Sequence, residues 1–126
     1  MSGGNGPPVQ ESHVMTRYLI SFDDGAMTFP DEDEPAVAKA AHEVVEQAKD
    51  AGVWVTGGGV MGHEVSVVGT DGSVSAGPSA EEKKYIGGFS IVDVASREEA
   101  LEWAAKIAGA CRCAQEVREL MHDPDV

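Results

Sequence analysis

Basic residues, cysteines and long apolar runs are all scarce in this sequence, and each shortage excludes a class of protein. Nine Lys and Arg stand against twenty-two Asp and Glu, so the formal net charge is -13. A field of that sign repels phosphate backbones and anionic lipid surfaces, so we expect no direct nucleic-acid partner and no membrane partner. The apolar stretches fall short of the roughly 20 residues that a membrane-spanning helix needs, and no signal-peptide pattern is evident. The expected location is therefore the cytoplasm.

The two cysteines, Cys111 and Cys113, are too few to form a disulfide framework. A structural zinc site usually takes four thiolate or imidazole ligands, and His122 is the nearest histidine that could join these two residues. Because this set falls short, we expect reduced and partly buried thiols, no metal site and no cofactor.

Length and apolar content indicate a single folded domain. A chain of 126 residues is long enough for one hydrophobic core and too short for two ordinary domains, and 42% hydrophobic residues can fill such a core. Residues 1–14 are rich in Gly, Pro and polar residues without an apolar period, which predicts a disordered leader. The domain itself is expected to span residues 15–126.

A first helix is predicted after an acidic segment. Asp and Glu occupy positions 31–34 and Pro35 follows, a combination that suits the N-terminal turn of a helix. Gly52 is expected to end the helix. Its apolar residues recur at helical spacing and are Val37, Ala41, Val44, Val45 and Ala48.

Short segments with β-strand character surround this helix. Apolar residues alternate along residues 18–22 and predict a first strand, and residues 53–56 predict a second. The three glycines at 57–59 predict a sharp bend or a bulge. The Thr-Asp-Gly sequence at 70–72 lies between two short β-prone runs and predicts a hairpin. Residues 85–94 predict a longer strand with apolar residues on both faces, and such a strand is normally covered on both sides.

The last third of the domain predicts a second helix and a final strand. Ser96 is expected to be the N-cap, with Glu99 completing a capping box, and Gly109 is expected to end the helix. Its core-facing residues are predicted to be Ala100, Leu101, Ala104, Ile107 and Ala108. A strand at 115–120 completes the order β-α-β, hairpin, β-α-β.

This order predicts a ferredoxin-like α+β sandwich with two helices on one face of an antiparallel sheet. Two helices cover only one face of a sheet, whereas the strand at 85–94 carries apolar residues on both. Because large apolar patches rarely stay exposed in a monomer, we expect a homodimer that packs sheet against sheet.

One segment of the chain is similar to a family signature. Residues 76–89, AGPSAEEKKYIGGF, are similar to the pattern DGPFAETKEQLGGF that names the DGPF-domain proteins. Further similar segments are RYLI at 17–20, IVDV at 91–94, EALEWA at 99–104 and EVR at 116–118. From residue 15 to residue 120 the chain resembles the YCII-related, DGPF-domain family. The resemblance implies a ferredoxin-like fold of the dimeric α/β-barrel type and a role in small-molecule binding or catalysis. It also implies, for some relatives, a link to sigma-factor-type transcription regulators.

The chain departs from the family pattern at its acidic positions. Ala76 stands where the signature opens with an acidic residue, and Ser79 replaces its aromatic residue. Resemblance to the related YCII branch implies a pair formed by a histidine on the first helix and the aspartate of a later Asp-Pro. His42 lies close to that helix position, whereas Gly109 and Ala110 stand where the Asp-Pro would be. The resemblance therefore implies a protein whose catalysis is reduced or lost.

The candidate catalytic residue is His42, because imidazole exchanges protons near neutral pH and this position borders the apolar stripe of the first helix. The candidate binding residues are His63, Gly58, Gly59, Gly77 and Pro78. The glycines at 57–59 lack the following Lys-Ser/Thr of a phosphate-binding loop, and the acidic loop at 23–34 lacks the spacing of a calcium-binding loop.

Three functions are compatible with these observations. The first is a homodimer that binds a small molecule in a pocket between sheet and helix, with reduced or no catalysis. The second is an enzyme that uses a histidine, His42 or His63, as a general acid or base. The third is an interaction module that presents its acidic surface to another protein, such as a transcription regulator.

Overall fold

Four strands form one antiparallel sheet in the computed structural model of the chain, which describes residues 15–61, 64–79 and 81–126. The elements follow one another as β1 (Thr16–Asp23), a 3₁₀ turn (Asp31–Asp33), α1 (Glu34–Asp50), β2 (Trp54–Gly59), β3 (Ser66–Val68), β4 (Val74–Ala76), β5 (Ile86–Val94), α2 (Arg97–Cys111) and β6 (Glu116–Glu119). The strand order in the main sheet is β2-β5-β1-β6, and β3 pairs with β4 in a separate hairpin. This arrangement confirms the predicted ferredoxin-like α+β fold. The leader predicted at 1–14 lies outside the described residues.

Both helices pack on the same face of the sheet. Tyr18 and Ile20 of β1 lie opposite Val92 and Ser90 of β5, so their side chains point to one side. There they meet the buried alanines of the helices in one cluster, which comprises Tyr18, Ile20, Ala48, Val53, Val92, Val94, Ala100 and Ala104. Each large aliphatic side chain buried in this way stabilises the fold by about 1.5–3 kcal/mol.

The opposite face of the sheet is also apolar at its centre. Leu19 lies opposite Ile91, and Ser21 lies opposite Phe89. Ser21 is buried, and the three apolar side chains are half-buried although neither helix reaches this side. The prediction that β5 carries apolar residues on both faces is therefore confirmed. We call the surface formed by Leu19, Ser21, Phe89 and Ile91 the free sheet face.

The glycines at 57–59 belong to β2, so neither the sharp bend nor the bulge that was predicted there lies at these residues. The irregularity in the strand lies earlier, where the register with β5 shifts between Trp54 and Thr56. None of the three glycines has a positive φ. Gly57 is required instead by close strand approach, since a Cβ there would lie 2.5 Å from the carbonyl oxygen of Phe89.

The two helices end differently from each other. Gly52 has a φ of 76° just beyond α1, which agrees with the predicted helix end. In contrast, α2 continues through Gly109 to Cys111, so the predicted end at Gly109 is wrong. The left-handed residue that closes α2 is Arg112, with a φ of 59°. Its side chain donates to Asp33 across 2.9 Å and joins the end of α2 to the start of α1.

The start of α2 agrees with the prediction, whereas one core position does not. The Ser96 hydroxyl accepts a hydrogen bond from the Glu99 amide at 3.2 Å, as expected of an N-cap. Leu101 was predicted to face the core, yet 43% of it is exposed. Ala100 and Ala104 define the buried stripe, and Leu101 lies about 100° around the helix from Ala100.

Replacing Gly109 with alanine is expected to stabilise the protein. The residue lies inside α2, is exposed, and has no neighbour within 4 Å of an added Cβ. Because alanine favours a helix over glycine, the free energy of unfolding should rise by about 0.5–1 kcal/mol. Chemical denaturation of Gly109→Ala beside the unchanged chain measures this, and a decrease in stability would contradict the assignment of Gly109 to an exposed helical position.

The β3–β4 hairpin turns at the predicted Asp-Gly. The Asp71 carboxylate accepts a hydrogen bond from the Ser73 amide at 3.0 Å, and Gly72 has a φ of 86°. The bonds that the carboxylate accepts from Ser73 lower the pKa of Asp71 below its ordinary value. Both hairpin strands are exposed along their length.

Among the residues that the structure describes, no helix is long and apolar enough to cross a bilayer.

Candidate functional site

A cavity of about 430 Å³ lies between the two helices and the helix-facing side of the sheet. Residues from β1, α1, β2, β5 and α2 contribute to its walls, together with Met27 and Gln115 from the loops. Sites for small organic ligands typically enclose about 300–1,000 Å³, so the volume suits such a molecule.

The rings of Phe22 and Trp54 lie on the sheet side of this cavity, and glycines make room for both. The Phe22 ring lies over Gly88, where an added Cβ would come within 2.5 Å of the ring. The Trp54 ring lies over Gly57, where an added Cβ would be 2.8 Å from the ring. Both aromatic residues line the cavity. The glycines therefore let the rings lie close to the backbone of the sheet.

The wall on the α1 side is aliphatic. Ala41, Val44 and Val45 were predicted to be core residues, and all three are half-buried and line the cavity. In contrast, Val37 and Ala48 of the same stripe are buried. The periodicity of α1 thus indicated correctly which side faces the sheet, but not that part of the space between helix and sheet is unfilled.

The end of α2 contributes Ile107, Ala110 and Cys111 to the cavity, and Gln115 follows in the chain. Burial, and secondly the neighbouring Cys113, raise the pKa of the Cys111 thiol above its ordinary value. Burial also raises the pKa of Cys113, although a hydrogen bond from Gln115 opposes this. Both thiols are therefore neutral at pH 7 and weak nucleophiles.

The side-chain amide of Gln115 has a defined orientation. Its NH₂ group donates to the carbonyl oxygen of Cys113 at 3.3 Å and lies 3.5 Å from the Cys113 sulfur. A backbone carbonyl can only accept, so the amide nitrogen must point toward Cys113. The carbonyl oxygen of Gln115 is then available as a hydrogen-bond acceptor for another group.

His42 and Lys49 lie at the mouth of the cavity. His42 is exposed, and it lines both the cavity and a shallow depression along the outer surface of α1. Lys49 also lines the cavity, has 54% of its side chain exposed, and lies 3.7 Å from a carboxylate oxygen of Glu46. The mouth therefore carries one imidazole and one ammonium group.

The described lining of the cavity contains no carboxylate, although the chain has twenty-two acidic residues. The titratable side chains of this lining are His42, Lys49 and Cys111. A cation would therefore find no opposite charge there, whereas a neutral molecule or an anion would meet hydrogen-bond donors and a positive charge.

The predicted site residues fall into three groups. His42, Gly58 and Gly59 all line the cavity. Gly77 and Pro78 do not belong to the described lining: Gly77 donates to the Val65 carbonyl at 2.9 Å, and the Pro78 carbonyl accepts from the Tyr85 hydroxyl at 2.7 Å. These contacts place both in the connection between the hairpin and β5. The sixth predicted residue, at position 63, is a histidine that lies outside the described residues.

Several cavity residues were absent from the sequence prediction. Lys49 lies seven residues after His42, a spacing that returns to the same side of a helix, and this signal could have found it. Phe22, Trp54, Ile107 and Gln115 are far apart in the chain and meet only through the sheet order. In the described part of the chain, no three His, Cys, Asp or Glu side chains come together as metal ligands would.

A search among curated proteins found no significant match to this chain. The profile of the YCII-related domain matches residues 16–122. This segment begins at the start of β1 and ends beyond β6, so it includes the whole sheet, both helices and the cavity between them. Since the match extends over most of its length, the chain belongs to the YCII-related domain family.

Proposed function

We propose that the protein binds a small molecule in the cavity between its sheet and helices, as a homodimer with reduced or no catalytic activity. The cavity itself carries the proposal. Protein interiors are normally packed about as densely as organic crystals, and unfilled apolar space lowers stability. An apolar cavity of about 430 Å³ that opens beside polar groups is therefore best explained by an occupant.

The composition of the lining favours binding over acid–base catalysis. General acid–base chemistry with His42 would gain from a carboxylate that orients the imidazole, and the described lining contains none. By the family resemblance, the Asp-Pro of the related branch corresponds to Gly109 and Ala110, of which Ala110 lines the cavity and Gly109 does not belong to the described lining. Ala76, at the other expected acidic position, lies in the exposed strand β4. Neither position therefore supplies a carboxylate to His42, which favours binding over acid–base catalysis.

The free sheet face supports the homodimer. Its apolar residues lie near the centre of the sheet, and charged residues flank them: Arg17 lies opposite Asp93, and Leu19 lies opposite Arg118 on β6. An apolar centre with a charged rim is the usual composition of a protein interface. A two-fold axis through this face would cover each copy with the same surface of the other.

Replacing Gly59 with leucine is expected to block the cavity. Gly59 lines the cavity and pairs with Gly88, which pairs with Phe22, so its side chain would point to the helix-facing side. An added Cβ meets nothing within 4 Å, so the leucine fits without a backbone clash. Binding of the neutral probe 2-naphthamide, measured by isothermal titration calorimetry, should weaken at least about tenfold.

Gly109→Leu is the matched control for this experiment. It makes the same change at an exposed glycine that also has free space around it and lies outside the described lining. Binding of 2-naphthamide should be unchanged in this variant. Equal affinity of Gly59→Leu and the unchanged chain would contradict the cavity as the binding site, and absence of binding to the unchanged chain would contradict the proposed function.

A further inference from the structure

We infer that the ligand is a small aromatic carboxylate, bound with its ring in the cavity and its carboxylate at the mouth beside Lys49. This inference rests on the proposed binding function and adds the chemical class of the ligand. Two independent features of the cavity carry it, one for the ring and one for the charge.

The interior of the cavity selects an apolar and flat group. Phe22 and Trp54 present aromatic rings from the sheet side, and Val44 and Val45 present aliphatic side chains from α1. Aromatic rings pack favourably against a second ring in offset or edge-to-face arrangements. The rings lie close to the sheet because glycines lie beneath them, which leaves the space above them for a planar ligand.

The mouth of the cavity selects a negative charge. Lys49 and His42 are separated by two turns of α1, or about 10 Å along its axis, on the same side of the helix. Both line the cavity, whereas Glu46, which lies between them in the sequence, lines only the outer depression among the described residues. The Glu46 carboxylate thus lies 3.7 Å from the Lys49 ammonium group without belonging to the described lining of the cavity.

The charge of the whole chain strengthens this argument. The chain has a net charge of -13, and a charge of that sign repels anions from most of the surface. If the acidic residues were distributed at random, some carboxylates would also lie at the mouth of the cavity. The described lining instead carries an ammonium group and an imidazole without a carboxylate. This local reversal of sign provides the attraction that an anionic ligand needs and that a cation would not find.

A pair of probes with the same ring separates charge from shape. The unchanged protein is titrated by calorimetry with 2-naphthoate, which carries a carboxylate, and with 2-naphthamide, which is neutral. Lys49 is about half exposed, so the expected preference for the carboxylate is about fivefold, the range of an exposed ion pair. Added salt should reduce this preference, because it screens the attraction between Lys49 and the carboxylate of 2-naphthoate and leaves the binding of neutral 2-naphthamide unchanged.

Two substitutions at the mouth should act in opposite directions. Lys49→Gln should reduce the affinity for 2-naphthoate to that for 2-naphthamide. Glu46→Gln should increase the affinity for 2-naphthoate by about twofold to threefold, because it removes the carboxylate that lies 3.7 Å from the ammonium group. Neither change should alter the affinity for 2-naphthamide. An unchanged affinity for this neutral probe would show that the cavity is intact in both variants.

The outcomes distinguish the ligand class from the binding function. Equal affinities for the two probes, unaffected by Lys49→Gln, would contradict the inference that the ligand is a carboxylate, but would leave the cavity as a binding site. A shift in 2-naphthamide affinity equal to that of 2-naphthoate would assign Lys49 a structural role and would also overturn the inference. Failure of both probes to bind would overturn the proposed function together with it.

Discussion

Ile91→Asp is expected to dissociate the protein into folded monomers. Ile91 lies near the centre of the free sheet face, opposite Leu19 on β1 and Thr56 on β2. In the proposed dimer an aspartate here would be buried without a partner, which costs several kcal/mol, and two-fold symmetry places it in the interface twice. Light scattering at micromolar concentration should give the dimer mass for the unchanged chain and the monomer mass for the variant.

Leu101→Asp is the control for this experiment. Leu101 is another large aliphatic residue, but it lies on the outer side of α2 with 43% of its surface exposed. The same substitution there should leave the mass unchanged. A monomer mass for the unchanged chain would contradict the dimer. Circular dichroism of Ile91→Asp distinguishes dissociation from unfolding, because a dissociated monomer keeps its helices.

The fold was predictable because its signals are local. Alternation in β1, the stripe of α1, the Asp-Gly turn at 71–72 and the Ser96 cap each depend on neighbours in the sequence, and together they define the order of elements. That order restricts the topology to few choices, and the ferredoxin-like arrangement is one of them.

The site was predictable only in part, because a cavity depends on what is missing from the interior. Val44 and Val45 have the spacing of core residues, and no pattern in α1 distinguishes a wall of a cavity from a packed position. Gly77 and Pro78, two predicted binding residues, lie within the segment similar to the family signature, yet their contacts are with Val65 and Tyr85. Signature positions can reflect the structure of a connection as well as a site.

The glycine run shows a different limit of sequence-based prediction. Three consecutive glycines at 57–59 suggested a sharp bend or a bulge, because glycine is often required where φ is positive. In the structure Gly57 is tightly enclosed, whereas an added Cβ at Gly58 or Gly59 meets nothing within 4 Å. This difference depends on contacts with β5, which is about thirty residues away in the sequence, so local pattern could not reveal it.

Gly57→Ala is expected to be strongly destabilising for the same reason. A Cβ at Gly57 would lie 2.5 Å from the Phe89 carbonyl oxygen and 2.9 Å from the Ser90 Cα. Both atoms are backbone of β5, which lies between β2 and β1 and cannot shift without disturbing both pairings. The free energy of unfolding should fall by about 3 kcal/mol, and the Tm by about 10 °C, as measured by chemical and thermal denaturation.

Gly58→Ala tests whether the lower stability of Gly57→Ala comes from the clash or from replacing any glycine in this strand. Gly58 is the next residue of the same strand, its φ is also not positive, and an added Cβ there meets nothing within 4 Å. Its replacement should leave stability unchanged or raise it by up to about 0.5–1 kcal/mol, because alanine suits a strand interior better than glycine. Equal losses in both variants would contradict close approach of β2 and β5 as the cause.

Trp54 lies 2.8 Å from the same added Cβ at Gly57, so the clash should also displace its ring. Any folded Gly57→Ala protein should therefore bind 2-naphthamide more weakly than Gly58→Ala does.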